Sequence, residues 1–209
     1  MKQLKFLVFA WLSCLAVAAY AEPQLGKEYG LVAQPQPTDM KKIEVTEIFS
    51  YACPHCFDLE PTIHQWSKKL PKDVTFMRLH AASNPNWTSL AKLFYALEAL
   101  GELDRLHADV FNAFHLKNIN FSDEKAATEW LSKQGVDPKK FADTYASFGV
   151  QGKVARSKQL TAAYGINGVP TIVVAGKYQT SAQMAGGHEN ALKTTEYLIN
   201  LVRQERGGK

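Results

Sequence analysis

The run Ile43 to Tyr51, "IEVTEIFSY", is rich in β-branched and aromatic residues without clean alternation, the pattern of a strand buried on both faces. Helical spacing follows at Phe57, Leu59, Ile63, Trp66 and Leu70, with Pro61 expected to kink the helix and Pro71 to close it. Asp73 to Ala82, "DVTFMRLHAA", predicts a second strand, so the chain opens as strand, helix, strand. After Ser83 to Asn86 the period changes, and no strand pattern returns until Thr171. One apolar stripe joins Leu90, Leu93, Phe94, Leu97 and Leu100 before Gly101; another joins Leu103, Leu106, Val110 and Phe114. Ser122 is the expected N-cap of a helix carrying Ala126, Trp130 and Leu131, and Asp137-Pro138 opens one carrying Phe141, Tyr145 and Phe148. A helical stretch from Lys153 to Tyr164 leads to Gly168 to Thr180, read as a hairpin turning at Ala175-Gly176-Lys177, and a last helix covers Glu189 to Glu205. The layout is an α/β domain interrupted by a helical insertion. The expected boundaries are 22–82 and 158–209 for the α/β part and 83–157 for the insertion.

The N-terminus adds a destination. Lys2 and Lys5 precede an apolar run from Phe6 to Ala19, and Ala19-Tyr20-Ala21 supplies the small residues of a cleavage site, so residues 1–21 predict a secretory signal peptide cut after Ala21. The run is short for a spanning helix, which needs roughly 20 apolar residues. Cleavage removes two of the 24 basic residues and none of the 20 acidic ones, leaving a nearly neutral chain. Such a balance gives no electrostatic case for nucleic acid or an acidic membrane surface. About 190 residues can bury a sizeable core without covalent staples. Cleavage also removes Cys14, so only Cys53 and Cys56 remain, separated by Pro54 and His55.

A zinc site wants four ligands, and no second CxxC or HxxxH spacing joins His55, His64, His80, His107, His115 or His188 to the pair. A structural disulfide closing so small a loop stabilises little. A working redox pair fits better. At a strand-to-helix junction Cys53 sits at the helix N-terminus, where unpaired backbone N–H groups and the dipole favour a thiolate. Pro54 suits the first helical turn, and His55 can offer the sulfur a hydrogen bond or a positive charge. Lowering the thiol from about 8.5 to about 5.5 stabilises the thiolate at neutral pH by roughly 2 kcal/mol, about 40 mV of oxidising power for a two-electron couple.

With "FSYACPHC" and "GVPT", the chain resembles the DsbA family of bacterial periplasmic thiol oxidases, over essentially the whole mature sequence. The resemblance implies a thioredoxin-like fold with an inserted helical domain, the layout already read from periodicity. It assigns Cys53 as an exposed attacking cysteine, Cys56 as its buried partner, and Val169-Pro170 as a cis-proline loop beside them. Pro170 has no N–H, which leaves the Val169 backbone to pair with an extended substrate chain. Glu47 matches a buried acid that relays protons to Cys56, and Glu60 and Arg78 fall where the family carries further charges.

These readings describe an exported dithiol oxidase acting on unfolded proteins with free cysteines. The resemblance also implies a membrane quinone-linked reoxidase of the DsbB type. No cofactor site is read in the chain, and a monomer is expected. Two rivals stand beside this reading: a disulfide isomerase or reductase, and a peptide-binding chaperone whose cysteines are incidental. No dimerisation module is read before Ile43, which disfavours the isomerase.

Overall fold

The structure is a computed structural model that describes residues 22–207; the signal-peptide reading, its cleavage site and Cys14 lie outside the described residues. Strands β1 (Gly30–Leu31) and β2 (Ile43–Phe49) lead into helix α1 (Pro54–Ser67) and strand β3 (Val74–His80). Five helices follow: α2 (Pro85–Ala99), α3 (Leu103–Leu116), α4 (Glu124–Lys133), α5 (Pro138–Tyr145) and α6 (Phe148–Tyr164). The chain then returns as β4 (Thr171–Val174), β5 (Tyr178–Thr180), α7 (Ala182–Ala185) and α8 (His188–Glu205).

The five strands form one sheet in the order β1-β5-β4-β2-β3, with β2 and β3 parallel and the other pairs antiparallel. β2 is an interior strand between β4 and β3, and its only partly exposed residue is Glu44, which explains its nearly continuous apolar run. Two register facts build the site. Pairing of Glu47 with Arg78 places opposite charges side by side on neighbouring strands. Pairing of Ile48 with Thr171 brings the residues before β4, Val169 and Pro170, to the end of β2 where the cysteines begin.

Apolar residues of α1 (Leu59, Ile63) and α8 (Leu198, Val202) share a core with Val45 and Ile172 of the sheet. The larger core lies among the inserted helices and includes Leu90, Phe94, Phe111, Phe121 and Phe141. Burial of each such side chain is worth about 1.5–3 kcal/mol. Phe49, Tyr51, Cys53 and Cys56 belong to this second core, so the cysteine pair is packed against the insertion as well as the sheet.

Several boundaries differ from the sequence reading. Asp123, rather than Ser122, caps α4, its carboxylate accepting the Lys125 N–H. Phe148 does not share a helix with Phe141 and Tyr145: Ser147 is extended and caps a new helix through the Val150 N–H, which leaves Phe148 91% exposed. α6 therefore starts five residues before Lys153 despite Gly149 and Gly152, and it runs without a break past position 157. α1 continues through Pro61 and ends at Ser67, ahead of Pro71. The two-residue β1 is too short to show alternation, and the single-turn α7 too short to show helical period.

Candidate active site

β2 ends at Phe49 because Ser50 to Cys53 make a turn, closed by the Cys53 N–H donating to the Ser50 carbonyl at 3.0 Å. Cys53 is the N-cap of α1, with extended backbone at φ −90° and ψ 116°, and Pro54 occupies the first turn. The Cys53 sulfur accepts the Cys56 N–H at 3.4 Å, and its thiol donates to the Val169 carbonyl at 3.3 Å. Both cysteines are free thiols, and the Val169–Pro170 peptide bond is cis.

The two sulfurs have opposite proton affinities. Cys53 is lowered to about 6, chiefly by a hydrogen bond from the Cys56 thiol; burial opposes this, and the Cys56 and His55 backbone N–H groups and the His55 charge assist. Cys56 is fully buried and pushed far up, first by burial and then by the Cys53 sulfur it donates to. A stable thiolate therefore sits beside a thiol that holds its proton.

Beneath them lies a buried ionic cluster. The Arg78 guanidinium reaches Glu47 through Nε at 3.1 Å and Glu60 through Nη2 at 2.9 and 3.1 Å. Glu47 is fully buried and raised to about 7 by burial, which Arg78 only partly offsets; negative charge on Glu60 and Cys53 raises it further. Burial also presses Glu60 upward, but His107, Arg78 and His64 outweigh it and hold that carboxyl below its usual value. One carboxyl is thus poised to exchange protons near neutrality while its neighbour stays ionised.

The scaffold carrying this geometry has close relatives. The family model for the DSBA-like thioredoxin domain matches residues 73–194, a stretch that begins after the cysteines. The chain is 41% identical over 198 residues to the thiol:disulfide interchange protein DsbA of Pseudomonas aeruginosa, covering 94% of each chain. It is 39% identical to the protein of that name from Burkholderia cepacia, covering 92% of each. The chain belongs to the DsbA family. The crystal structure of P. aeruginosa DsbA superimposes with a TM-score of 0.84 at 41% identity, over 88% of this chain and 96% of that one. The Xylella fastidiosa DsbA oxidoreductase gives 0.82 at 28% identity, over 87% and 98%. This DsbA-family chain is a thiol:disulfide oxidoreductase with a thioredoxin-like fold and an inserted helical domain.

Cys53, Cys56, Val169, Pro170 and the Glu47-Arg78-Glu60 group gather around one end of β2, and four details depart from the sequence reading. Cys53 is only 8% exposed, because the Val169 carbonyl and the insertion's core cover it, so it is less open than an exposed attacking cysteine. That same carbonyl is occupied by the Cys53 thiol rather than standing free for a substrate chain. His55 points outward with a 77% exposed side chain, its Nδ1 3.9 Å from Asp58, so its imidazole charge acts on Cys53 less than its own backbone N–H does. No hydrogen bond joins Glu47 to Cys56 among the described residues; the Glu47 charge helps to hold the proton on the Cys56 thiol. Sequence reasoning missed Tyr51, whose N–H, carbonyl and hydroxyl each meet a histidine: His80, His115 and His107. The spacing His107, Phe111, His115, four and four along one helix, is the signal that could have found two of them. Among the described residues no helix is long and apolar enough to cross a membrane.

Proposed function

We propose that Cys53 is the attacking cysteine of a periplasmic oxidase that passes its disulfide to unfolded exported proteins, with Cys56 as the resolving partner. In the oxidised enzyme a substrate thiolate attacks the Cys53 sulfur, and the Cys53–Cys56 bond breaks with Cys56 as leaving group. Cys56 cannot remain a thiolate in its buried site, so it takes a proton supplied by Glu47, with a water carrying it across the gap between them. A second substrate thiolate then attacks the substrate sulfur of the mixed disulfide and expels Cys53. The substrate leaves oxidised by two electrons, and the enzyme is left with a Cys53 thiolate and a Cys56 thiol.

The observation that carries this reading is the Cys53 sulfur at the N-cap of α1, accepting the Cys56 N–H at 3.4 Å and lowered to about 6 chiefly by the Cys56 thiol, a donor that only the reduced pair has. Those bonds favour reduced enzyme and so drive the disulfide outward. Pro54 starts the helix that supplies the N–H groups, and His55 adds charge from outside. Substrate backbone lies along Val169-Pro170, which requires the Cys53 thiol to release the Val169 carbonyl; the disulfide form has no thiol hydrogen to hold it. Reoxidation falls to a membrane quinone-linked partner of the DsbB type, and the enzyme works as a monomer after removal of residues 1–21. We take 22–82 and 158–209 as the thioredoxin-like part and 83–157 as the insertion.

Equilibration of the mature protein with glutathione redox buffers, alongside thiolate absorbance against pH, tests the proposal. An absorbance midpoint near 6 and an equilibrium favouring reduced enzyme are expected. A midpoint at the ordinary thiol value of about 8.5 overturns the oxidant reading.

A further inference from the structure

The turn that delivers Cys53 to its helix is held at Tyr51 by three histidines. The Tyr51 N–H donates to His80 Nε2 at 3.1 Å, its hydroxyl lies 2.8 Å from His107 Nδ1, and its carbonyl lies 2.8 Å from His115 Nε2. The chemistry fixes each direction. A carbonyl only accepts, so His115 carries its proton on Nε2. His80 Nδ1 lies 2.7 Å from the Ala81 carbonyl and must be the protonated nitrogen, leaving Nε2 to accept from Tyr51. Burial keeps the Tyr51 phenol protonated, so it donates to His107 Nδ1 and the His107 ring proton sits on Nε2, 3.3 Å from the Glu60 carboxylate.

Two of these histidines stand on one face of α3, with Phe111 midway between them and its ring 4.9 Å from that of Tyr51. His115 also stacks on Phe57, the residue after Cys56, with ring centres 4.8 Å apart and planes 13° from parallel. One imidazole thus grips both the turn before Cys53 and the first turn of the helix after it.

We infer that His115 and His107 are positioning residues for the redox pair: acting through Tyr51, helix α3 of the insertion fixes the turn that keeps the Cys53 sulfur within reach of the first N–H groups of α1. The insertion then contributes to the chemistry as well as to the cover. The Cys53 sulfur accepts the Cys56 N–H at 3.4 Å, a directional contact that depends on how the turn presents the sulfur to α1. This inference rests on the reading of Cys53 as the thiolate.

The test is the pH titration of thiolate absorbance for the reduced parent and for His115→Leu, His115→Gln and Tyr51→Phe, with thermal unfolding of each. His115→Leu is expected to raise the midpoint by about half a unit or more, a threefold or greater loss of thiolate below it. His115→Gln restores the parent midpoint, because its amide N–H can donate to the same carbonyl. Tyr51→Phe raises the midpoint less, since only the His107 contact is lost. A parent midpoint at the ordinary thiol value overturns the thiolate reading itself. A low parent midpoint with no change in folded His115→Leu, or the same rise in the Leu and Gln variants, overturns the positioning role alone. If His115→Leu fails to fold, Tyr51→Phe decides: a raised midpoint supports the role, and an unchanged one overturns it.

Discussion

The cysteine pair has two flanks of different chemistry. On the sheet side stand charges: Glu47, Arg78 and Glu60, each at least four-fifths buried and tied by short ion pairs. On the insertion side stand neutral rings: Phe49, Tyr51, Phe94 and Phe111, interleaved with His80 and His107. The charged flank governs where protons go, because a buried carboxyl changes its proton affinity with each neighbouring charge. The ring flank governs where atoms sit, because close-packed rings tolerate little displacement. Redox chemistry at a helix terminus needs both, and this fold supplies one from each of its parts.

The largest effect is expected at the boundary between the flanks. Cys56→Ala removes the donor that ranks first in holding the Cys53 thiolate. Catalysed oxidation of a reduced substrate protein is expected to fall to background, with the Cys53 midpoint moving from about 6 toward the ordinary value. Retained turnover would mean that the buried sulfur does not resolve the reaction. On the charged flank, Arg78→Met leaves two carboxylates buried without their shared cation. Chemical denaturation should show a loss of about 3–5 kcal/mol, with Arg78→Lys recovering part of it. A loss below about 1 kcal/mol would mark the cluster as solvated.

Glu47 makes the charged flank readable by pH. Its folded value, about 7, lies above the unfolded value near 4.5, so the folded chain binds more protons than the unfolded chain between them. Its contribution is fully present below about 4.5 and is lost as pH rises through 7. For a shift of this size the loss is about 3 kcal/mol, and Glu47→Gln should flatten the slope in denaturation measured from pH 4 to 8. An unchanged slope would place the titration elsewhere.

The sequence revealed the charged flank far better than the ring flank, for a physical reason. Glu47 and Arg78 belong to strands that runs of β-branched and aromatic residues can locate, and adjacent parallel strands put them opposite each other. The Cys53 N-cap and Pro54 follow from local chemistry at a strand-to-helix junction, whereas the Val169-Pro170 loop is legible only through the family resemblance. Tyr51, His107 and His115 meet only because α3 packs over the β2–α1 junction, a long-range contact between residues 56 and 64 positions apart. Periodicity marks Val110 and Phe114 as apolar but says nothing of which buried element a neighbouring histidine will face. His55 shows the opposite error: its place between the cysteines suggests intimacy with the sulfur, yet at that helical position its side chain projects into solvent.

Comparing oxidised with reduced enzyme sharpens the contrast further. The reduced form gains stability from the thiolate, whose folded value of about 6 lies below the unfolded value near 9. A depressed value gives stability that is present above pH 9 and lost as pH falls through 6. The reduced form should therefore be the more stable at pH 7, by about 1 kcal/mol after allowance for solvent screening, and the advantage should grow toward pH 9. Parallel denaturation of both forms reads it, and a more stable oxidised form would make the disulfide a staple.

The smallest expected effect belongs to His55, the residue between the two cysteines that the sequence points to as a donor or a positive charge for the sulfur. His55 acts on Cys53 through a backbone N–H, which any residue other than proline supplies, and through the charge of a side chain that is mostly in water. His55→Leu keeps the first and removes the second. Exposed charge pairs are worth about 0.2–1 kcal/mol, so the Cys53 midpoint should rise by less than about one unit. The rise should shrink in high salt, because the solvent-exposed ring is screened while the Cys56 hydrogen bond is not. Thiolate absorbance at low and high ionic strength separates the two contributions. A rise as large as that of Cys56→Ala, insensitive to salt, would reverse the ranking and make the imidazole, rather than the buried sulfur, the group that holds the thiolate.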